Sequence, residues 1–457
     1  MLTALPAGAF FPVIMGPSFT RLCEQAGVGD AWFGILAALP AAAALLQIPA
    51  AMWLARFGSR KQVLLVCGVI HRLMWLPIAL VALYLPPSPS THLLFFTLIA
   101  ISHGLGQIAG LAWHSWMSDL IPPRRRGRFF GLRHRMFHAG MLVFSLLIAW
   151  LMDAGAGWDA EHGLRIVLLG LFAVATVMGA LDILGFIRVE DTPRRPAYAL
   201  NTGHLLATLR DRDFRVTLLF AMAITASTFV IGPFLQLHML NVARLGDAQV
   251  VLMLQTAPIL AVLFVSAGWG RAVDRYGRKA SLVLAVLGGS VTSASWILVF
   301  GGHWWLGIFI AIFGQMFWFG VDLSLYNYVL RFGSSARSAA AGPAYLSVYS
   351  SGCAAAALAA GVAAGQFAQW FEPSATLASL RERMEPIPMS SYMVLLWISV
   401  LMRIAALIFL LPRLPEETDR GTRQTVHLMV GQLYAAFHAF FRTAATSITV
   451  RRRPPRA

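Results

Sequence analysis

Runs of roughly 20 apolar residues, each long enough to cross a hydrocarbon core of about 30 Å, recur along nearly the whole chain with only short polar gaps between them. A backbone amide in lipid must find its partner within its own segment or in a closed barrel. Continuously apolar runs of this length suit helices, not strands that alternate in polarity. With 58% of residues hydrophobic and 12% charged, the chain lacks the polar surface that a water-soluble globule needs. The spacing predicts an all-α membrane protein of about twelve transmembrane helices. They lie near 2–22, 31–55, 62–84, 92–119, 129–152, 164–187, 215–240, 249–271, 280–301, 304–330, 339–368 and 391–412.

The formal charge is +16, yet the arginines sit in short clusters between apolar runs. No basic domain with interleaved aromatics is formed, which argues against a nucleic-acid partner. Arg56, Arg60 and Lys61, then residues 124–128, 188–215 and 271–279, Arg331 with Arg337, and the tail from Arg413 all follow even-numbered spans. This bias places those loops, and both termini, in the cytoplasm of a bacterial inner membrane. Residues 189–213, with Pro193, Pro196 and the run Arg210-Asp211-Arg212-Asp213, read as a linker between a six-helix bundle at 1–188 and a second at 214–412. In the tail, 413–457, Val426, Met429, Val430, Leu433, Phe437, Phe440 and Phe441 recur at helical intervals ahead of Arg451-Arg452-Arg453, the pattern of a basic amphipathic helix on the membrane surface. Met1 runs almost directly into the first span without a basic leader, as expected if the natural start lies upstream, and nothing there reads as a cleavable signal. Cys23, Cys67 and Cys353 are isolated and fit no metal or redox spacing, so neither a metal nor a cofactor is expected.

The two halves look related. Ala51-Met52-Trp53-Leu54-Ala55-Arg56-Phe57-Gly58-Ser59-Arg60-Lys61 after the second span is echoed by Gly270-Arg271-Ala272-Val273-Asp274-Arg275-Tyr276-Gly277-Arg278-Lys279 after the eighth, implying two six-helix pseudo-repeats. The second stretch resembles, at each specified position, the G-x-x-x-D-R-x-G-R-K signature of the major facilitator superfamily. Residues 118–128 resemble the loop after the fourth helix in many bacterial members. The resemblance covers the chain to about residue 412 and implies a secondary transporter whose central cavity is lined by helices 1, 4, 7 and 10. It further implies that Asp274 clamps the cytoplasmic start of the fifth helix, near Arg128 and Arg133, when the protein opens outward. Gly270, Arg275, Gly277, Arg278 and Lys279 would complete that gate. The first copy departs from the pattern, with Ala51, Ala55 and Ser59 in place of glycine, aspartate and the first basic residue, so the gate is expected to lean on Asp274 alone.

Ionisable groups inside spans are costly unless paired or wet, which makes each a functional candidate. On the fourth span His103, Gln107, Gly110 and His114 fall on one helical stripe. Gln315, Trp318, Asp322 and Tyr326 do the same on the tenth span, and Thr225, Thr228, Gly232 and Gln236 on the seventh. Asp322 is a lone carboxylate suited to carrying a proton, with His103 or His114 opposite, or to binding a cationic group. Arg72 beside His71 on the third span, and Arg403 on the twelfth, are expected on peripheral helices as structural groups. Arg72 would pair with Asp182; either arginine, if it reached the cavity, would hold an anionic solute. Arg133 and Arg135, with His134 and His138, belong with the gate.

Other function classes fit less well. A membrane-embedded transferase needs a catalytic cluster, and His114 with Asp119 do not share a helix face. A sensor would normally carry an output module. No G-x-x-x-x-G-K-[ST] loop is present to drive the protein with ATP. The G-x-x-x-G-P pattern of many drug–proton antiporters is missing from residues 142–152. The reading is therefore a non-enzymatic, monomeric transporter in membrane lipid, moving a small solute with protons, ahead of a drug or lipophile exporter and of a non-transporting sensor.

Overall fold

The computed structural model describes residues 3–57, 59–158, 162–191, 202–335, 341–385, 387–415, 424–429 and 431. Among the described residues ten helices are long and apolar enough to cross a membrane, and the shorter apolar helices Ala4–Met15 and Asp247–Val262 fill the first and eighth positions of the expected set. The fold is thus the all-α bundle that the apolar runs require.

Several of the expected spans are interrupted. The first divides into Ala4–Met15 and Pro17–Gln25, because Pro17 has no amide hydrogen and pushes Gly16 into an extended conformation. The break frees the carbonyl of Pro12, and Gln255 Nε2 of the eighth span donates to it at 2.7 Å. A carbonyl released inside a membrane needs such a partner. Gln255 itself lies in a π-helical turn, Leu252–Thr256, and similar turns end the seventh span at His238–Val242 and the twelfth at Ala406–Leu410. Such turns re-aim side chains within an otherwise regular helix.

The helix Ala257–Tyr276, which continues the eighth span, and the ninth span, Arg278–Ala294, are separated by Gly277 alone, at φ +81°. Only glycine adopts that backbone without strain. Lys279 is buried, and its Nζ donates to the carbonyls of Leu414 at 2.9 Å and Pro412 at 3.4 Å. The last residue of the signature thereby caps the carbonyl end of the twelfth span, where a cation is favoured. Arg403 is fully buried, with no carboxylate paired to it among the described residues: Ser227 and Ser293 accept from its Nε and Nη1 at 3.2 and 2.7 Å, and Trp318 lies under the guanidinium at 4.6 Å. It ties together the seventh, ninth, tenth and twelfth spans.

Between the two sets of six lies the short helix Thr202–Thr208; residues 192–201 fall outside the described residues. Most of the amphipathic tail does as well. Its described part, residues 424–429, is helical, with Thr425 and Met429 buried and Met429 packed in the same cluster as Trp269 and Leu414.

Candidate functional site

Two cavities meet at the centre of the molecule. One, of about 250 Å³, lies between the first six spans and the last six, with His103 of the fourth span facing Thr228, Gly232 and Gln236 of the seventh. Two of the stripes read from the sequence therefore converge. Thr20, beyond the break in the first span, donates its hydroxyl to Gln236 Oε1. Phe19, Phe33 and Phe229 supply apolar wall.

The other cavity, of about 290 Å³, lies inside the first six spans and takes the rest of the fourth-span stripe: His103, Gln107 and Gly110 line it. Gln107 is held by both ends of its amide, donating to the carbonyl of Pro40 at 3.1 Å and accepting from Gln47 at 2.6 Å. The opposite wall carries His71, Arg72, Arg133 and Asp182. Arg72, expected to be peripheral and structural, thus lines the cavity. It does pair with Asp182, Nη2 to Oδ2 at 3.6 Å, and Arg133 reaches the other carboxylate oxygen at 3.5 Å while donating to Thr3 Oγ1 at 3.0 Å. His71 is fixed by Ser102 at 2.8 Å and packs near His103, ring centroids 6.3 Å apart. Helical spacing does not single out His71 or Asp182 as cavity residues. The signal that could have found them is a titratable group within a span, but the third and sixth helices read as outer ones. His114 is exposed beyond Trp113.

On the tenth span, Leu306–Ser335, Asp322 and Tyr326 are exposed. Asp322 faces Tyr349 and Cys353 of the eleventh span, and Cys353 in turn bonds Thr225 of the seventh. Gln315 is half-buried. Trp318 turns away from this group toward Arg403.

Asp274 and Arg275 are exposed at the end of the eighth span, and Arg278 lies over Tyr328 at 6.0 Å. Here Arg133 is engaged by Asp182 and Thr3, and the Arg128 side chain lies outside the described residues. In the first copy of the motif, which lacks its aspartate, Ser59 donates to Asp191 at the start of the linker.

The end opposite the basic loops is sealed. Arg21 bridges Glu24 at 2.9 Å and Asp247 at 2.7 Å, Asn241 donates to Glu24 at 2.7 Å, Tyr392 donates to Asp30 at 2.8 Å, and Ser145 meets Thr256 at 3.0 Å. All of these except the Arg21–Glu24 contact join the first six spans to the last six. At the same end, burial works against the charge of Glu372, but hydrogen bonds from Ser391 and Arg381 outweigh it and hold the carboxyl below the usual glutamate range. Charged hydrogen bonds that are partly buried contribute about 1.5–3 kcal/mol. Asp247→Asn is therefore expected to raise the population open at this end by roughly tenfold. Cysteine labelling at the ends of the first and eighth spans measures it, and equal labelling rates in the variant and the parent would contradict the role.

Residues 7–357 match the model of the Major Facilitator Superfamily. Over 196 residues the chain is 24% identical to the anhydromuropeptide permease of Escherichia coli strain K12, a stretch covering 41% of this chain and only 38% of that relative's length. Among solved structures, a mutant of the nucleoside transporter NupG superposes with a TM-score of 0.65 at 13% identity, covering 91% of this chain and 99% of its own. A D-xylose–proton symporter gives 0.63 at 16%, covering 91% and 97%. These structural likenesses carry the fold alone, whereas the family match runs from the first span into the eleventh and includes the Gly270 to Lys279 turn. The chain accordingly belongs to the major facilitator superfamily and is a multi-pass membrane transporter of that kind.

Proposed function

We propose that the protein moves a small polar solute across the bacterial inner membrane by alternating access, coupled to protons, as a monomer with both termini in the cytoplasm. The observation that carries this reading is the cavity in which His103 faces Thr228, Gly232 and Gln236, closed at the Arg21 end by bonds between two six-helix bundles, 1–188 and 214–412. Such bonds can break as a set when the bundles rock about a fixed central site. In the opposite state Asp274 would take over Arg133 and Arg128 from the fifth span, which requires Arg133 to leave Asp182. Asp322, with His103 and His114 across the space, is the proton-carrying candidate; Gln107, Gln315, Tyr326 and Gln236 are the candidates for solute contact. Trp318 supports Arg403. The permease relative and the symporter-type neighbours agree with a polar cargo.

The reading is tested with purified protein in two steps. A thermal-shift screen against metabolites identifies a solute, since a ligand at 100 times its dissociation constant stabilises by about 2.7 kcal/mol. Uptake of that solute into proteoliposomes is then followed with and without a proton gradient. Gradient-driven uptake abolished by a protonophore is expected. Solute flux indifferent to the gradient would sink the coupling, and no protein-dependent flux would sink transport. Export of a drug or lipophile is the second reading, favoured by the aromatic wall of Phe19, Phe33 and Phe229; screen hits confined to lipophilic cations would select it.

A further inference from the structure

Three charged side chains meet in the cavity inside the first six spans, and their charges do not cancel. Arg72 and Arg133 share the single carboxylate of Asp182 at 3.6 and 3.5 Å, distances too long for the paired hydrogen bonds that a close arginine–carboxylate contact makes. Arg72 is 6% exposed, and its Nε and Nη1 have no hydrogen-bond partner among the described residues. Phe10 covers one face of the guanidinium at 3.9 Å. Among the described residues no other carboxylate lines this cavity. One positive charge therefore stands uncompensated beside open space within the spans, an arrangement that is costly unless a counter-charge arrives. The histidines on the wall cannot supply one, because an imidazole is neutral or cationic; His71 is bonded to Ser102, and His103 packs edge-on against Trp75 at 5.7 Å.

Resting on the transport reading above, we propose that Arg72 and Arg133 form an anion subsite that takes a carboxylate or phosphate group of the solute, so that the cargo is a small polar anion. The two open donors of Arg72 would close on its oxygens. Asp182 holds both guanidiniums in place and competes with the incoming anion, which keeps binding reversible. Gln107, fixed by Pro40 and Gln47 on the facing wall, is placed to contact the uncharged remainder.

The test is binding to the full chain in detergent, which needs neither a gradient nor turnover, so its failure is separate from a failure of the flux assay. Glucuronate and glucose 6-phosphate are compared with glucose, and N-acetylmuramate with N-acetylglucosamine. At least one acid should bind the parent protein roughly tenfold or more tightly than its neutral twin, as a charge-assisted contact allows. Whether a carboxylate or the phosphate wins identifies the group. Arg72→Gln should erase the preference and Arg72→Lys should keep part of it. Asp182→Asn, which removes the internal competitor, should widen the preference severalfold. The proposal is overturned if no acid outbinds its neutral twin on the parent protein, a result that needs no variant to fold. It is overturned equally if folded Arg72→Gln keeps the preference.

Discussion

Replacing Gly34 with leucine should force apart the helices that seal one end of the transporter and populate the state open at that end. The second and eleventh spans cross there backbone to backbone. A Cβ built on Gly34 would lie 2.2 Å from the carbonyl oxygen of Gly361, and one on Gly361 would lie 2.7 Å from that of Gly34. One turn further along, a Cβ on Gly365 would meet the carbonyl of Asp30 at 2.6 Å. None of these atoms belongs to a flexible side chain that can move aside, so the helices themselves must separate. Small residues let helices approach this closely in lipid, where packing drives association. Overpacking costs about 1–3 kcal/mol. Because the two spans belong to different sets of six, the strain exists only in the sealed form and falls on the conformational equilibrium, a shift of roughly 5–150-fold. Spin labels at the outer ends of the second and eleventh spans should report a new, longer distance population. Gly34→Leu protein that folds and keeps the parent's distance distribution would refute the seal.

The scaffold is legible in the sequence because its signals are long. Apolar runs locate the spans, and the Gly270 to Lys279 turn locates the family. The first span, read as one run over 2–22, breaks at Gly16-Pro17; the cause is local, but its consequence, Gln255 reaching across to Pro12, depends on which helix packs there and has no local trace. The stripes on the fourth and seventh spans are legible for the same periodic reason, and His103 and Gln236 do share a cavity. Trp318 shows the limit of that logic. It satisfies the helical spacing of its stripe but packs on Arg403, because a 3.6-residue period defines a face without saying which neighbour covers it. Arg72 and Asp182 show the converse. Their charges mark them, and their pairing follows from adjacent helices, but a cavity running between the spans of one bundle is a product of packing that no single helix encodes.

Among the described residues no cation pairs with Asp322, which faces Tyr349 and Cys353 from an exposed position on the tenth span. A carboxylate in that setting can gain and lose a proton as access alternates, while the guanidinium of Arg403 on the twelfth span is held by Ser227, Ser293 and Trp318. Asp322→Asn keeps the shape and the hydrogen-bonding capacity of the side chain but removes the titration. Exchange of labelled for unlabelled solute across the proteoliposome membrane should therefore persist, since exchange needs only the loaded carrier to reorient. Accumulation against a gradient should collapse. With one proton per solute, a difference of about 2 pH units can sustain about 100-fold accumulation in the parent, each unit being tenfold, and the variant should reach a ratio of about 1. Loss of both activities would point to damage at the binding site. Undiminished accumulation would remove Asp322 from the coupling path and shift the role to His103 or His114 on the fourth span.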